Sequence, residues 1–464
     1  MKRILFIVLL FASSPQLLAQ NITGDWHGLL KQIKLRVVFH ISETNNGFSS
    51  TLDSPDQGAT GIPVTSTFFE NDSLKITVAN LGVTYKAKLV DNSFEGTFLQ
   101  AGLQLPLKLT RQAIEKPKQN RPQEPEMPYP YYTEEVSFNN ENANITLAGT
   151  LTLPEQVGKY PAVVLITGSG PQDRNEELAG HKPFLVIADH LTKNGIAVLR
   201  YDDRGFGQST GDFSTATSTD FATDVQSAIS YLKTRKEIDQ NKIGLVGHSE
   251  GGIIAPMVAS KSEDINFIVL LAGTGIRGDS LLSMQGRLVE AAMGQSKENM
   301  EKSAEIRKEI IDMVMKSEDI PNLRNDLTAY LKTETVVEKI KVLLPPGMGM
   351  DQFITTQLNF MATPWMVYFL RHDPGKILET VDCAVLALNG EKDVQVPPKE
   401  NLSAIKTALE KAGNNKFRVE ELPGLNHLFQ ECKTGAPTEY GTIEQTFSPI
   451  ALSKISDWIL DQVR

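Results

Sequence analysis

Two patterns of apolar and polar positions divide this chain. From Tyr131 onward, short runs of Val, Ile and Leu alternate with stretches whose apolar residues recur every three or four positions. The runs at 162–166, 197–201, 243–246, 267–271, 384–388 and 417–421 predict strands buried on both faces. The stretches 182–194, 219–234, 253–260, 399–412 and 448–463 predict amphipathic helices. Strands alternating with helices imply an α/β fold, a mostly parallel sheet with helices on both faces. Right-handed crossovers then line up the strand C-termini along one edge, where a site is expected. Ahead of this series, 135–138 and 145–153 read as an antiparallel hairpin ending at Pro154. The rhythm breaks between Gly273 and Pro374, where about a hundred residues carry helical periodicity and no strand. This insertion, 274–375, predicts a helical cap over the sheet edge. It holds nine of the twelve methionines, residues that adapt to irregular apolar shapes and suit either small helical cores or an acyl pocket.

Before residue 113 the period is shorter. Segments 35–41, 74–78, 84–89 and 93–98 alternate or run apolar, separated by turn clusters such as Asp91-Asn92. They predict a small antiparallel β barrel or sandwich over 20–112. Trp26, in Gly24-Asp25-Trp26-His27-Gly28, reads as a core residue before it reads as a ligand contact. Residues 113–130, with Pro117, Pro122, Pro125, Pro128 and Pro130 among many charges, read as a semi-rigid linker to a catalytic domain spanning 131–464. At the start, Lys2 and Arg3 precede an apolar run and Ala19 offers a cleavage point. Residues 1–19 therefore read as a signal peptide, and the mature protein as exported, periplasmic or secreted.

A net charge of −10 argues against nucleic acid or an anionic membrane surface as partner, and no later stretch is apolar enough for stable membrane insertion. The two cysteines, Cys383 and Cys432, lack metal-ligand spacing; buried free thiols are the default reading and a single pairing the alternative.

Chemistry concentrates where the strand 243–246 runs into Gly247-His248-Ser249-Glu250-Gly251-Gly252 and a helix follows at once. Strand, Gly-x-Ser-x-Gly turn and helix define a nucleophile elbow, with Ser249 at the apex. A serine hydroxyl is a poor nucleophile at neutral pH; it needs a base within reach and a third group to orient that base. On this architecture the partners follow in the order serine, acid, histidine. His27 and His40 lie in the β segment, His181 and His190 precede the serine, His372 lies in the insertion, and His248 is expected to point away from the reacting face. His427, after the last predicted strand, remains. The acid is expected in Asn389-Gly390-Glu391-Lys392-Asp393, with Asp393 first and Glu391 in reserve. Oxyanion donors are expected from the backbone N–H groups of Glu250 and of Ser169, in the loop Thr167-Gly168-Ser169-Gly170. Arg204, just past a strand end, reads as a loop tie. The charged run Asp173, Arg174, Glu176 and Glu177 reads either as solvated or as carboxylates for an ammonium-bearing substrate.

Taken together, Gly168-Ser169-Gly170-Pro171-Gln172-Asp173-Arg174, Tyr201-Asp202-Asp203-Arg204-Gly205, the elbow, Pro364-Trp365 and Asn426-His427-Leu428-Phe429-Gln430 resemble the α/β-hydrolase superfamily. Within it the chain resembles bacterial EstD-type carboxylesterases, neighbours of the serine aminopeptidases. The resemblance runs from about Tyr131 to the C-terminus. It implies Ser249, Asp393 and His427 as triad beneath a helical cap. It also implies a small-molecule ester as substrate, and no metal or organic cofactor. Thr167 stands where a histidine often opens the oxyanion loop of the superfamily. The same triad would serve an aminopeptidase, and an inert hydrolase fold carrying a binding β-domain is the reading from another class.

Overall fold

The computed structural model describes residues 21–464, apart from 34, 46, 58, 101–102, 116–119 and 346–347. The expected signal peptide and part of the expected linker lie outside the described residues. Contacts divide the chain into two compact units that meet in sequence at residues 118 and 119.

The first unit contains β1 (Gly24–Leu30), β2 (Leu35–Thr44), β3 (Gly47–Ser54), β4 (Ala59–Pro63), β5 (Ser66–Glu70), β6 (Ser73–Val78), β7 (Val83–Val90), β8 (Ser93–Gln100) and β9 (Leu103–Thr110). They form one antiparallel sheet in the order β2-β1-β9-β8-β7-β6-β5-β3-β4, and the further β2–β3 pairing closes it into a barrel. Closure leaves no long open edge, which settles the barrel-or-sandwich alternative. Trp26 belongs to the barrel core at 2% exposure; its Nε1 donates to the Ile22 carbonyl at 2.8 Å and its ring packs on Phe94. The alternation does not announce β1 because an inward position is Gly28. A Cβ there would come within 2.6 Å of the Leu107 and Leu109 side chains, which already fill the space beside it.

The second unit is built on β10 (Tyr132–Asn140), β11 (Ile145–Leu153), β12 (Tyr160–Ile166), β13 (Ala197–Tyr201), β14 (Ile238–His248), β15 (Ile265–Leu271), β16 (Ala384–Gly390) and β17 (Phe417–Leu422), in the order β10-β11-β13-β12-β14-β15-β16-β17. The β10–β11 hairpin is antiparallel, β11 pairs antiparallel with β13, and the remaining pairs are parallel. Helices α1 (Pro183–Lys193), α2 (Ser218–Thr234) and α3 (Gly251–Ala259) fall between the early strands. Between β15 and β16 the elements among the described residues are all helices: α4 (Gly278–Ala292), α5 (Lys297–Lys316), α6 (Ile320–Leu331), α7 (Glu334–Leu343), α8 (Met350–Met361), α9 (Pro364–Arg371) and α10 (Pro374–Leu378). Then α11 (Pro398–Lys411) precedes β17 and α12 (Pro449–Val463) ends the chain.

Local chemistry explains these elements. In α2 the Asp220 carboxylate accepts the Thr217 N–H at 2.9 Å, satisfying one donor at the helix start. Phe221, Val225, Ala228, Ile229 and Leu232 then share its buried face, spaced at helical intervals. The larger of these side chains contributes roughly 1.5–3 kcal/mol each on burial. Two apolar layers, one on each side of the sheet, hold the strands between them.

The expected linker needs a correction at its C-terminal end. Arg121 donates to the carbonyls of Gly180 and Gly441, both at 3.0 Å. Gln123 bonds the Thr446 N–H and the Phe447 carbonyl, and Glu124 accepts the Lys182 N–H. These residues are tied to the second unit by their polar side chains, which composition alone reads as solvated.

Candidate active site

At the end of β14 the chain turns through Ser249, whose φ of 51° places a non-glycine residue in the left-handed region. Such a conformation costs on the order of 1–3 kcal/mol and persists only where neighbours enforce it. Here the Ser249 N–H donates to the Leu271 carbonyl at 2.9 Å. The flanking glycines are steric necessities. A Cβ on Gly247 would lie 2.0 Å from the Gly251 carbonyl oxygen, and one on Gly251 would lie 2.2 Å from that of Ile166. The serine is thereby held above the strand ends.

His427 sits in the loop after β17, with its Nδ1 2.8 Å from the Asp393 Oδ2. Both are buried, at 5% and 3% exposure. The other carboxylate oxygen, Oδ1, accepts the N–H groups of Gln395 and Val396 at 2.8 Å, so the acid cannot swing away from the ring. The His427 loop is shaped by Asn426, whose Oδ1 accepts the N–H groups of Leu428 and Gln430. Glu391 does not face the imidazole; its Oε2 accepts the Gly424 N–H at 2.8 Å and braces the same loop.

Ser249 and His427 line one cavity of about 270 Å³, together with Ser169 and Glu250. In the 167–170 loop the Gly168 N–H is engaged, donating to the Glu176 Oε1 at 2.8 Å. The N–H groups of Ser169 and Glu250 have no acceptor among the described residues. Thr167 donates from its hydroxyl to Asp203 at 2.8 Å, which secures the loop base where a histidine was the common alternative.

The opposite wall comes from the helical insertion: Leu281 of α4, Phe360 of α8, and Trp365, Met366 and Phe369 of α9. Methionines contribute little here; most of this wall is aromatic or leucine, while Met361 lines a separate cavity of about 310 Å³ that holds none of the candidate residues. A polar bond joins the two walls. The Glu250 Oε1 accepts from Ser218 Oγ at 2.6 Å and from the Trp365 Nε1 at 2.8 Å. Burial pushes this carboxyl above its usual range, against the pull of those two donors.

One sequence expectation is overturned, and one open alternative is decided in part. His248 does not point away: its ring lines the cavity beside Ser249 and packs against His427 with centroids 4.9 Å apart. In the run from Asp173 to Glu177, Glu177 is exposed, but Arg174 and Glu176 are not solvated. Arg174 is buried and grips Asp202 through its Nε and Nη2 at 3.0 and 2.8 Å, and Glu176 is buried against His248 and Gly168. Glu176 and His248 are the residues sequence reasoning misses; they lie 72 positions apart, and the histidine inside the elbow is the one visible sign. Arg204 does tie loops, bonding Asp224 through its Nε and Nη2 and the Asp220 carbonyl through Nη2. Both cysteines are free, and burial pushes the Cys383 thiol up to about 12.

A family model described as serine aminopeptidase, S33, matches residues 182–339. Esterase EstD of Thermotoga maritima is 26% identical over 315 residues, which cover 67% of this chain and 65% of that protein's own length. An uncharacterized 31.7 kDa protein from the traX-finO intergenic region of Escherichia coli is 25% identical over 256 residues, covering 55% of this chain and 80% of its own. A solved esterase of Pyrococcus furiosus aligns at 15% identity with a TM-score of 0.44, covering 71% of this chain and 91% of that one. Sheet order and the strand–elbow–helix turn match the α/β-hydrolase fold. In sequence the chain is similar to esterase EstD and, over residues 182–339, to the serine aminopeptidases of family S33.

Proposed function

We propose that this protein is a serine carboxylesterase that cleaves small acyl esters through an acyl-enzyme. The observation that carries the reading is one cavity holding an elbow serine and a histidine bonded to a buried carboxylate, faced by an apolar wall. Ser249 Oγ attacks the ester carbonyl carbon while His427 Nε2 takes its proton. Asp393 keeps the proton of the ring on Nδ1 and balances the charge that forms. The N–H groups of Ser169 and Glu250 receive the oxyanion, each such donor being worth ~10²–10³ in turnover. Collapse expels the alcohol, which takes the proton from His427. Water activated by the same ring then releases the acid and regenerates Ser249. Helices α4 to α9 act as a cap that supplies the acyl or alcohol site.

An aminopeptidase reading requires a free carboxylate for the substrate ammonium. Glu176 is spent on Gly168 and His248, and the Glu250 Oε1 on Ser218 and Trp365, which favours the ester. A panel of aryl acyl esters and aminoacyl anilides separates the two: esters are turned over, whereas turnover of anilides alone would defeat the proposal. Export belongs to the same proposal, and the mature N-terminus of protein recovered outside the cytoplasm should follow Ala19; an intact Met1 there would contradict it.

A further inference from the structure

A second histidine stands in this cavity with an unusual set of neighbours. His248 Nε2 lies 3.0 Å from the His427 carbonyl oxygen, and His248 Nδ1 lies 2.9 Å from the Glu176 Oε1. A carbonyl oxygen can only accept, so Nε2 carries a proton. The facing carboxylate oxygen already accepts the Gly168 N–H at 2.8 Å, which suits an acceptor rather than a protonated acid. Both ring nitrogens therefore meet acceptors, a pattern that a neutral imidazole, with one bare nitrogen, cannot satisfy.

We infer that His248 is an imidazolium paired with the Glu176 carboxylate, and that this pair is a positioning device joining the oxyanion loop to the loop of the base. The bonds run in one chain: Gly168 N–H to Glu176, Glu176 to His248, His248 to the backbone of His427. It fixes the distance between the Ser169 donor and His427, the two groups that must serve one substrate from different strands. This rests on the esterase reading for its purpose, not for its geometry.

The surroundings support the charge. His248 is buried at 6% exposure, and burial opposes a charged ring. The nearby charge of Glu176, its hydrogen bond, the His427 carbonyl and the charge of Asp393 outweigh that and hold the ring above its usual value. The groups facing the pair are Glu176 from the loop after β12, Asp203 from the loop after β13, Glu250 from the elbow itself, Asp393 from the loop after β16 and His427 from the loop after β17. When His427 takes the serine proton, two imidazoliums stand between two carboxylates, Glu176 and Asp393, and the charges of these four groups cancel. Glu176 holds its place in left-handed backbone, with φ of 52°, a strain that the three-part bond chain offsets.

The direct test is nitrogen NMR of the whole chain labelled with ¹⁵N-histidine, at about pH 7.5, a unit above the ordinary imidazole value of ~6.5. His248 should show protons on both ring nitrogens, its signals being those absent from His248→Gln. One bare ring nitrogen at that pH would overturn the inference. Should His248→Gln not fold, Glu176→Gln provides a second reading. His40, set between Asp25 and Asp53, can give a doubly protonated signal of its own. Glu176→Gln should therefore lose one such signal that His40→Gln retains, and its persistence would refute the pairing. Glu176→Gln should also lower kcat about tenfold on aryl esters with KM little changed, because donor and base lose their fixed spacing. Unchanged kcat would refute the positioning role. The NMR signature needs no substrate, so its failure and a failure of the esterase reading are separate results.

Discussion

The two walls of the cavity are built on opposite principles. On the sheet side the polar side chains near the reacting atoms are fixed by bonds. Asp393 is held by two backbone N–H groups and His427, Glu176 by Gly168 and His248, and His248 by a carboxylate and a carbonyl. On the helical side Leu281, Phe360 and Phe369 offer apolar surface, and Trp365 makes a single bond across to Glu250. Directional bonds hold geometry to fractions of an ångström, whereas apolar contacts tolerate a range of shapes. On the proposed esterase reading, chemistry falls to the sheet wall and substrate choice to the insertion.

Substitutions on each wall should therefore fail differently. Ser249→Ala should lower kcat by about 10⁶ while leaving the thermal transition in place, and retained turnover would remove the sheet wall from the chemistry. Asp393→Asn preserves shape but offers His427 the wrong hydrogen-bond partner, so kcat should fall about 10⁴-fold; a loss confined to KM would contradict the role. Asp202→Asn takes from Arg174 the buried one of its two carboxylate partners and leaves only the exposed Glu135, and denaturant titration should show a loss of about 3 kcal/mol. A change within 0.5 kcal/mol, the ordinary surface range, would mean that the pair is not structural. On the other wall, Trp365→Phe removes the donor to Glu250, and KM for aryl esters should rise about tenfold with kcat little altered. An equal fall in kcat would place Trp365 in the chemistry instead.

The smallest effect is a pH dependence. The folded-state value of His248 lies above the unfolded one, so the native protein holds the extra proton. That stabilisation is complete below about 6.5 and fades as pH rises through the folded value. The stability of the parent chain relative to His248→Gln should accordingly shrink between neutral and alkaline pH. A difference that grows in that interval would reverse the sign and contradict the ion pair.

The sequence makes some of this legible and hides the rest for identifiable reasons. The run 197–201 coincides with β13 because a strand buried on both faces must be apolar throughout. Ser249, Asp393 and His427 can be selected by chain order because parallel topology brings successive strand ends to one edge. β1 escapes because Gly28 takes an inward place where the pattern expects an apolar side chain. The Glu176–His248 pair escapes because its partners are ordinary charged residues 72 positions apart, and nothing short of the folded loop shows that both are buried. The insertion reads as helical, but periodicity cannot say that Trp365 would reach Glu250 across the cavity.

The central claim, that the elbow hydroxyl is activated by the buried pair beneath it, is tested most directly with a fluorophosphonate probe followed by peptide mapping. The account predicts one covalent adduct on Ser249 of the intact chain, lost in Ser249→Ala and strongly slowed in His427→Ala. An intact, folded chain that takes up no probe, or takes it up at another residue, would contradict it.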